Sequence, residues 1–148
     1  MNIQNAVNRL IVGLLASSAL LLAIPGQADN DKDGKEAVVV LQKRTLPDAP
    51  GKKIIVAIVN YAPGQASFGH AHPGSVVAYV LEGAVVSQVK GEEPVTYKTG
   101  DSWYESPRIP HVVSRNASNT EPAKLLVWML SNEEEGIKVP IDKPKSGS

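Results

Sequence analysis

Cysteine is absent from all 148 residues. That excludes disulfides, thiolate metal ligands and cysteine nucleophiles together, so the fold must rely on its core. Aromatic residues are few: one Phe, two Trp and four Tyr. A core of any size must therefore be built from Val, Ile, Leu and Ala. No charge of one sign is in surplus, with 15 basic and 15 acidic residues. This argues against nucleic acid as a partner and leaves no acidic tail for a basic one. Outside one N-terminal run, no segment sustains the 3.6-residue apolar period of a helix. Internal repeats and low-complexity tracts are also missing.

The N-terminal run is the first positive feature. Arg9 is the only charge before Asp29, and LIVGLLASSALLLAI follows at 10–24, then Pro25, Gly26, Gln27 and Ala28. A basic start, a short apolar stretch and a small-residue exit predict a secretory signal peptide over 1–28. The stretch falls short of the ~20 residues of a bilayer span. An uncleaved anchor is the rival reading. Asn8 precedes Arg9, so there is no twin-arginine pair, which favours the general export route. The expected product is periplasmic or secreted, with no membrane segment in its mature form. It keeps 120 residues with 14 basic against 15 acidic, enough for one domain with a real core.

Past a charged lead-in at 29–35, short apolar runs rich in β-branched residues recur, punctuated by Gly and Pro. They fall at 37–42, 53–61, 75–83, 84–91, 94–100, 101–106, 111–116 and 124–131. Such spacing predicts an all-β sandwich or barrel over 36–132. Residues 133–148 read as a loose polar tail.

All three histidines fall into this strand pattern. His70 and His72 form a His-x-His, and on a strand i and i+2 share a face. His111 follows the stiff segment PRIP. Two intervening hairpins can bring its ring to the same place. Neutral imidazole suits Fe, Zn, Cu or Ni. The bland alternative is three half-buried polar residues, which is less economical for three than for one.

Residues Gly64 to Asn116 resemble the two sequence motifs of the cupin superfamily. The first, G-x5-H-x-H-x3-E-x6-G, is met by Gly64, His70, His72 and Gly83. The second, G-x5-P-x-G-x2-H-x3-N, keeps its spacing from Gly100 to His111. Two departures stand out. The glutamate of the first motif, ordinarily a fourth metal ligand, falls on Val76. In the second, the proline comes one place late at Pro107, Ile109-Pro110 replaces a Gly-containing spacer, and Arg115 stands at the Asn position beside Asn116. The resemblance implies a jelly-roll barrel with one divalent transition-metal ion (Fe, Zn, Cu, Ni or Mn) inside, held by His70, His72 and His111. It also implies a small-molecule ligand or substrate and a homodimer.

Three neutral ligands leave a divalent ion its full charge, and a valine leaves a coordination position open beside an apolar wall. The set is similar to the three-histidine iron sites of some cupin dioxygenases, and equally to a zinc ion with one water. Ala78, Val80 and Val113 are expected to line the chamber. Trp103 and Tyr104 should face opposite ways. Acid–base candidates are Glu105 and Tyr104. Glu82 shares the parity of Val76 and would lie ~20 Å along the strand, near the barrel mouth. Three functions remain open: a metal-dependent oxidoreductase of the dioxygenase kind, a non-catalytic ligand-binding cupin, and a cupin whose ion braces the barrel.

Overall fold

The computed structural model describes residues 28–30 and 36–141. The expected signal segment before Ala28 and the tail from 142 onward lie outside the described residues. Among the described residues eleven strands run in chain order: β1 Ala28–Asn30, β2 Ala37–Thr45, β3 Lys52–Tyr61, β4 His70–Ala71, β5 Ser75–Glu82, β6 Ala84–Val89, β7 Val95–Lys98, β8 Ser102–Glu105, β9 Pro110–Asn116, β10 Ala123–Asn132 and β11 Val139–Pro140. They form two antiparallel sheets, ordered β1-β2-β3-β10-β5-β8 and β11-β4-β9-β6-β7. No helix occurs among the described residues. This is the all-β fold that the strand spacing predicts.

Alternation builds the interior. Along β3, Ile55, Ala57, Val59 and Tyr61 are buried, and their neighbours are less so. Along β5 the buried set is Val76, Ala78 and Val80. Ala57, Val59, Tyr61, Ala78 and Val80 join Val38, Val85, Trp103, Ala123 and Leu125 in a cluster almost free of polar atoms. A smaller cluster of Ile55, Val76 and Met129 adjoins it. Trp103 stacks on Tyr97, with ring centroids 4.5 Å apart. Two glycines are dictated by geometry. A Cβ on Gly74 would lie 1.9 Å from the Leu130 carbonyl oxygen, so the β4–β5 turn can press onto β10 only without one. Gly83, at φ 71°, turns the chain from β5 into β6.

Three bulges interrupt the ladders, one of them on β2 at Leu41, and the other two bear on the site. On β5, Glu82 pairs with Lys124 while Val80 pairs with Leu125, leaving Leu81 as the extra residue. On β9, Val113 pairs with Gln88 while His111 pairs with Val89, leaving Val112 as the extra residue. Within the described residues, 28–30 and 139–140 pair as strands, which composition does not predict. β1 pairs with β2, and β11 pairs with β4, the strand that carries His70. The reason is backbone pairing, to which composition is blind.

Candidate metal centre

His70 and His111 are directly opposed on β4 and β9, so their side chains leave the sheet on one face. His72 follows two residues after His70. All three are buried, and one ring nitrogen from each lies within 4.8 Å of the others. The Nδ1 of His70 lies 2.7 Å from the Phe68 carbonyl oxygen, and that of His72 lies 2.8 Å from the Ile137 carbonyl oxygen. A carbonyl only accepts, so each Nδ1 carries the proton and each Nε2 presents a lone pair. Those two Nε2 atoms are 3.2 Å apart. Burial pushes the His70 ring down to about 4, against a smaller upward pull from the Phe68 carbonyl. Burial likewise lowers His72, partly offset by Glu105. Both rings are therefore neutral near pH 7, and two lone pairs face each other. A cation between them removes that repulsion, and imidazole suits a divalent transition metal.

The two acid–base candidates separate. Glu105 points inward and is 5% exposed. Its Oε1 accepts from the Trp103 indole at 2.8 Å and lies 3.1 Å from His111 Nδ1. Its Oε2 lies 3.4 Å from His72 Nε2. Burial alone raises this carboxyl, but His111, His72 and the Trp103 N–H outweigh it and hold the group below its ordinary value. Tyr104 must be corrected. It is 56% exposed, and its hydroxyl bonds Ser75 on the outer face. Strand alternation on β8 sends Trp103 and Glu105 in and Tyr104 out.

Glu82 does not reach the histidines either. The Leu81 bulge turns it outward, where it pairs with Lys124 at 3.1 Å. Of the expected lining residues, Ala78 holds its place beside Val76, whereas Val80 belongs to the apolar core. Val113 gives way to Ser114 because the Val112 bulge shifts β9 by one residue.

Several site residues had no clear sequence signal. Ser87 Oγ is 2.8 Å from His111 Nε2. The Tyr61 hydroxyl contacts Ser67 Oγ at 2.6 Å and Ser114 Oγ at 2.8 Å. Ser67 donates to Glu36, which also pairs with Lys138. A lone hydroxyl inside an apolar strand is the only hint that Ser87 and Ser114 offered. The histidine chamber holds about 40 Å³. A wider hollow of about 650 Å³ shares Glu36 and Tyr61 with it and has Glu82 and Lys124 on its wall.

The Cupin domain family model matches residues 57–129. This chain belongs to the cupin superfamily. Solved structures share its fold at low identity. DMSP lyase DddQ from Ruegeria pomeroyi DSS-3 is 21% identical with a TM-score of 0.59, covering 78% of this chain and 56% of its own. This cupin thus spans little more than half that protein. An RmlC-like cupin from Shewanella frigidimarina NCIMB 400 is 21% identical with a TM-score of 0.56, covering 74% and 87%. A recombinant oxalate oxidase solved with glycolate is 19% identical with a TM-score of 0.57, covering 77% and 59%. No curated protein matches this cupin in sequence.

The barrel explains the altered second motif. The Val112 bulge is the slip that carries the Asn role to Asn116. Asn116 is buried, donates to the Ala62 and Glu121 carbonyls and accepts from the Ser118 N–H. Arg115 faces outward. Arg108 occupies the place of the motif's glycine and has a left-handed backbone, with φ 63°, a conformation that favours glycine.

Proposed function

We propose that this cupin holds one divalent transition-metal ion on His70, His72 and His111 and oxidises a small molecule with dioxygen there, as a three-histidine Fe(II) dioxygenase. The observation that carries the reading is the pair of neutral Nε2 lone pairs 3.2 Å apart in a buried chamber. Iron, when bound, supplies the redox chemistry that a cysteine-free apolar barrel lacks. The chain's own residues do the rest. Phe68 and Ile137 fix the two tautomers through their carbonyls. Val76, Ala78 and Leu125 keep the wall apolar. The Tyr61 phenol, pushed up by burial, stays protonated and orders Ser67 and Ser114. The substrate body rests in the wider hollow, and its reacting end enters past Tyr61 and Glu36. An oxalate oxidase and a DMSP lyase share the barrel, so the fold itself is compatible with oxidation and with elimination.

The test is to strip the protein, reload Fe(II), Cu(II), Ni(II), Mn(II) and Zn(II) separately, and follow oxygen uptake on small diketones, thiols and phenolics. Uptake with iron supports the reading. A second reading, a ligand-binding cupin without turnover, is favoured by the chamber of only about 40 Å³ behind the Glu36–Lys138 pair. Tight ligand binding with no oxygen uptake at any ion would establish it. A metal-loaded barrel that admits not even azide would leave only a bracing ion.

The same reading places the protein outside the cytoplasm, as a mature chain beginning near Asp29. N-terminal sequencing of native protein decides this, and a retained Met1 sinks it. A homodimer is part of the reading too, supported by apolar side chains on the outer face of β8-β5-β10.

A further inference from the structure

We propose that Glu105 is a fourth ligand to the ion, so that the carboxylate missing from β5 at Val76 is delivered from the neighbouring strand β8. The inference rests on the metal-binding reading above and extends it to a residue that the family's motifs do not mark.

Strand register comes first. Val76 and Glu105 are Cα partners across the β5–β8 ladder. Residues directly opposed on one face carry their Cβ atoms about 5 Å apart. A glutamate is long enough to reach across that gap into the space its neighbour leaves empty. Both side chains are buried, Val76 at 1% and Glu105 at 5% exposure. A short valine on β5 and a glutamate on β8 are thus one exchange of size and charge across a single cross-strand pair.

The second observation is how the carboxylate is held. Its two oxygens differ. Oε1 is anchored by the Trp103 N–H at 2.8 Å. Oε2 is fully buried and has no hydrogen-bond partner. A buried carboxylate oxygen without a partner is costly. Its near neighbour is His72 Nε2, at 3.4 Å, and that atom has already given its proton-bearing role to Nδ1. Three acceptors, His70 Nε2, His72 Nε2 and Glu105 Oε2, therefore converge with no donor among them. His111 Nδ1, also buried without a hydrogen bond, lies 3.1 Å from the carboxylate's Oε1. A divalent cation is the group that satisfies such a set.

The consequence is electrostatic. One carboxylate lowers the net charge of ion plus ligands from 2+ to 1+, and it favours oxygen-tolerant ions such as Mn(II) and Fe(II) more than three imidazoles alone do. The open full-charge site expected from Val76 is replaced by a mixed one. The Trp103 anchor makes Glu105 a rigid ligand, since the indole fixes one oxygen and leaves the other to the ion.

The test compares Mn(II) and Zn(II) affinity of wild type, Glu105→Gln and Val76→Glu/Glu105→Gln by chelator competition. Glutamine keeps an acceptor for Trp103 and loses the charge. Removing an outer partner of a ligand already costs about 10–100-fold, so Glu105→Gln is expected to lose at least about a hundredfold for Mn(II). The double variant should recover most of it. Unchanged Mn(II) affinity in Glu105→Gln overturns the proposal, and so does a loss that the double variant does not recover. Infrared difference spectra of the wild type, metal-free minus Mn(II)-loaded, need no variant to fold. They should show a buried carboxylate stretch that moves on loading, and no moving band overturns the proposal. Failure of the wild type to bind any ion would instead overturn the three-histidine reading.

Discussion

Tyr104 and Glu105 are adjacent, and the pleat of one short strand assigns them opposite fates. Sequence distance marked both as near the site, whereas only their parity on β8 decides which one reaches it. Tyr104→Phe is therefore expected to leave metal affinity within about twofold of wild type, because it removes one exposed hydrogen bond to Ser75. Metal titration checks this. The buried rings also set an acid limit. His70 is held at about 4, against about 6.5 in the unfolded chain. Between those values the unfolded chain takes up a proton that the folded one refuses. The His70 share of the metal-free protein's stability should therefore fall as pH drops from about 6.5 and level off below about 4. The loss is on the order of 3 kcal/mol from His70 alone. His72 is lowered by the same cause, and the depressed Glu105 carboxyl works in the same direction. Urea titrations of metal-free protein at stepped pH measure it, and a flat profile would mean the rings are solvated. The histidines were legible because a His-x-His repeats at the strand period. Glu36, Ser67 and Lys138 were not, because nothing local says that a residue before one strand will meet another about a hundred positions on.

Elements were easier to read than their irregularities. Runs such as KIIVAIVNY declare a strand through β-branched residues alone, and β3 and β10 lie close to their expected places. The bulges at Leu81 and Val112 carry no such mark, yet they turn Glu82 out, replace Val113 by Ser114 and put Asn116 in its working position. The loop before β9 holds a further irregularity. Arg108 sits at φ 63°, a region costing a non-glycine residue about 1–2 kcal/mol. Its pair with Glu135 is largely exposed and offsets little of that. Arg108→Gly is expected to raise stability by up to about 1 kcal/mol, a shift visible in the thermal midpoint. A lower midpoint would show that the Glu135 pair outweighs the backbone strain. At the C-terminal end, deleting residues 136–148 removes β11 and the carbonyl that orients His72. That should lower metal affinity by about 10–100-fold while the two sheets persist. Unaltered affinity with β11 gone would show that His72 needs no support from the tail.

The outer face of the larger sheet carries exposed apolar side chains. Trp128 and Val77 are Cα partners, as are Val77 and Tyr104, so three exposed apolar side chains form a row across β10, β5 and β8. Tyr79 and Leu81 extend it. Contiguous apolar surface of this kind marks an interface. If the proposed homodimer forms through this face, Trp128→Glu is expected to shift it to monomer in sedimentation velocity, with metal binding retained because Trp128 faces away from the chamber. A wild type that sediments as a monomer would remove the dimer from the reading. The tail strand has a further consequence, in time rather than in space. His70 and His72 leave the ribosome well before Ile137 does. The carbonyl that settles the His72 tautomer, and the lysine that closes on Glu36, come 65 and 102 positions after their partners. Until those last residues arrive, the barrel offers the ion a half-oriented pair of rings. On the proposed reading, ion capture is therefore among the last steps of folding, and an exported chain takes its ion from the compartment in which it folds.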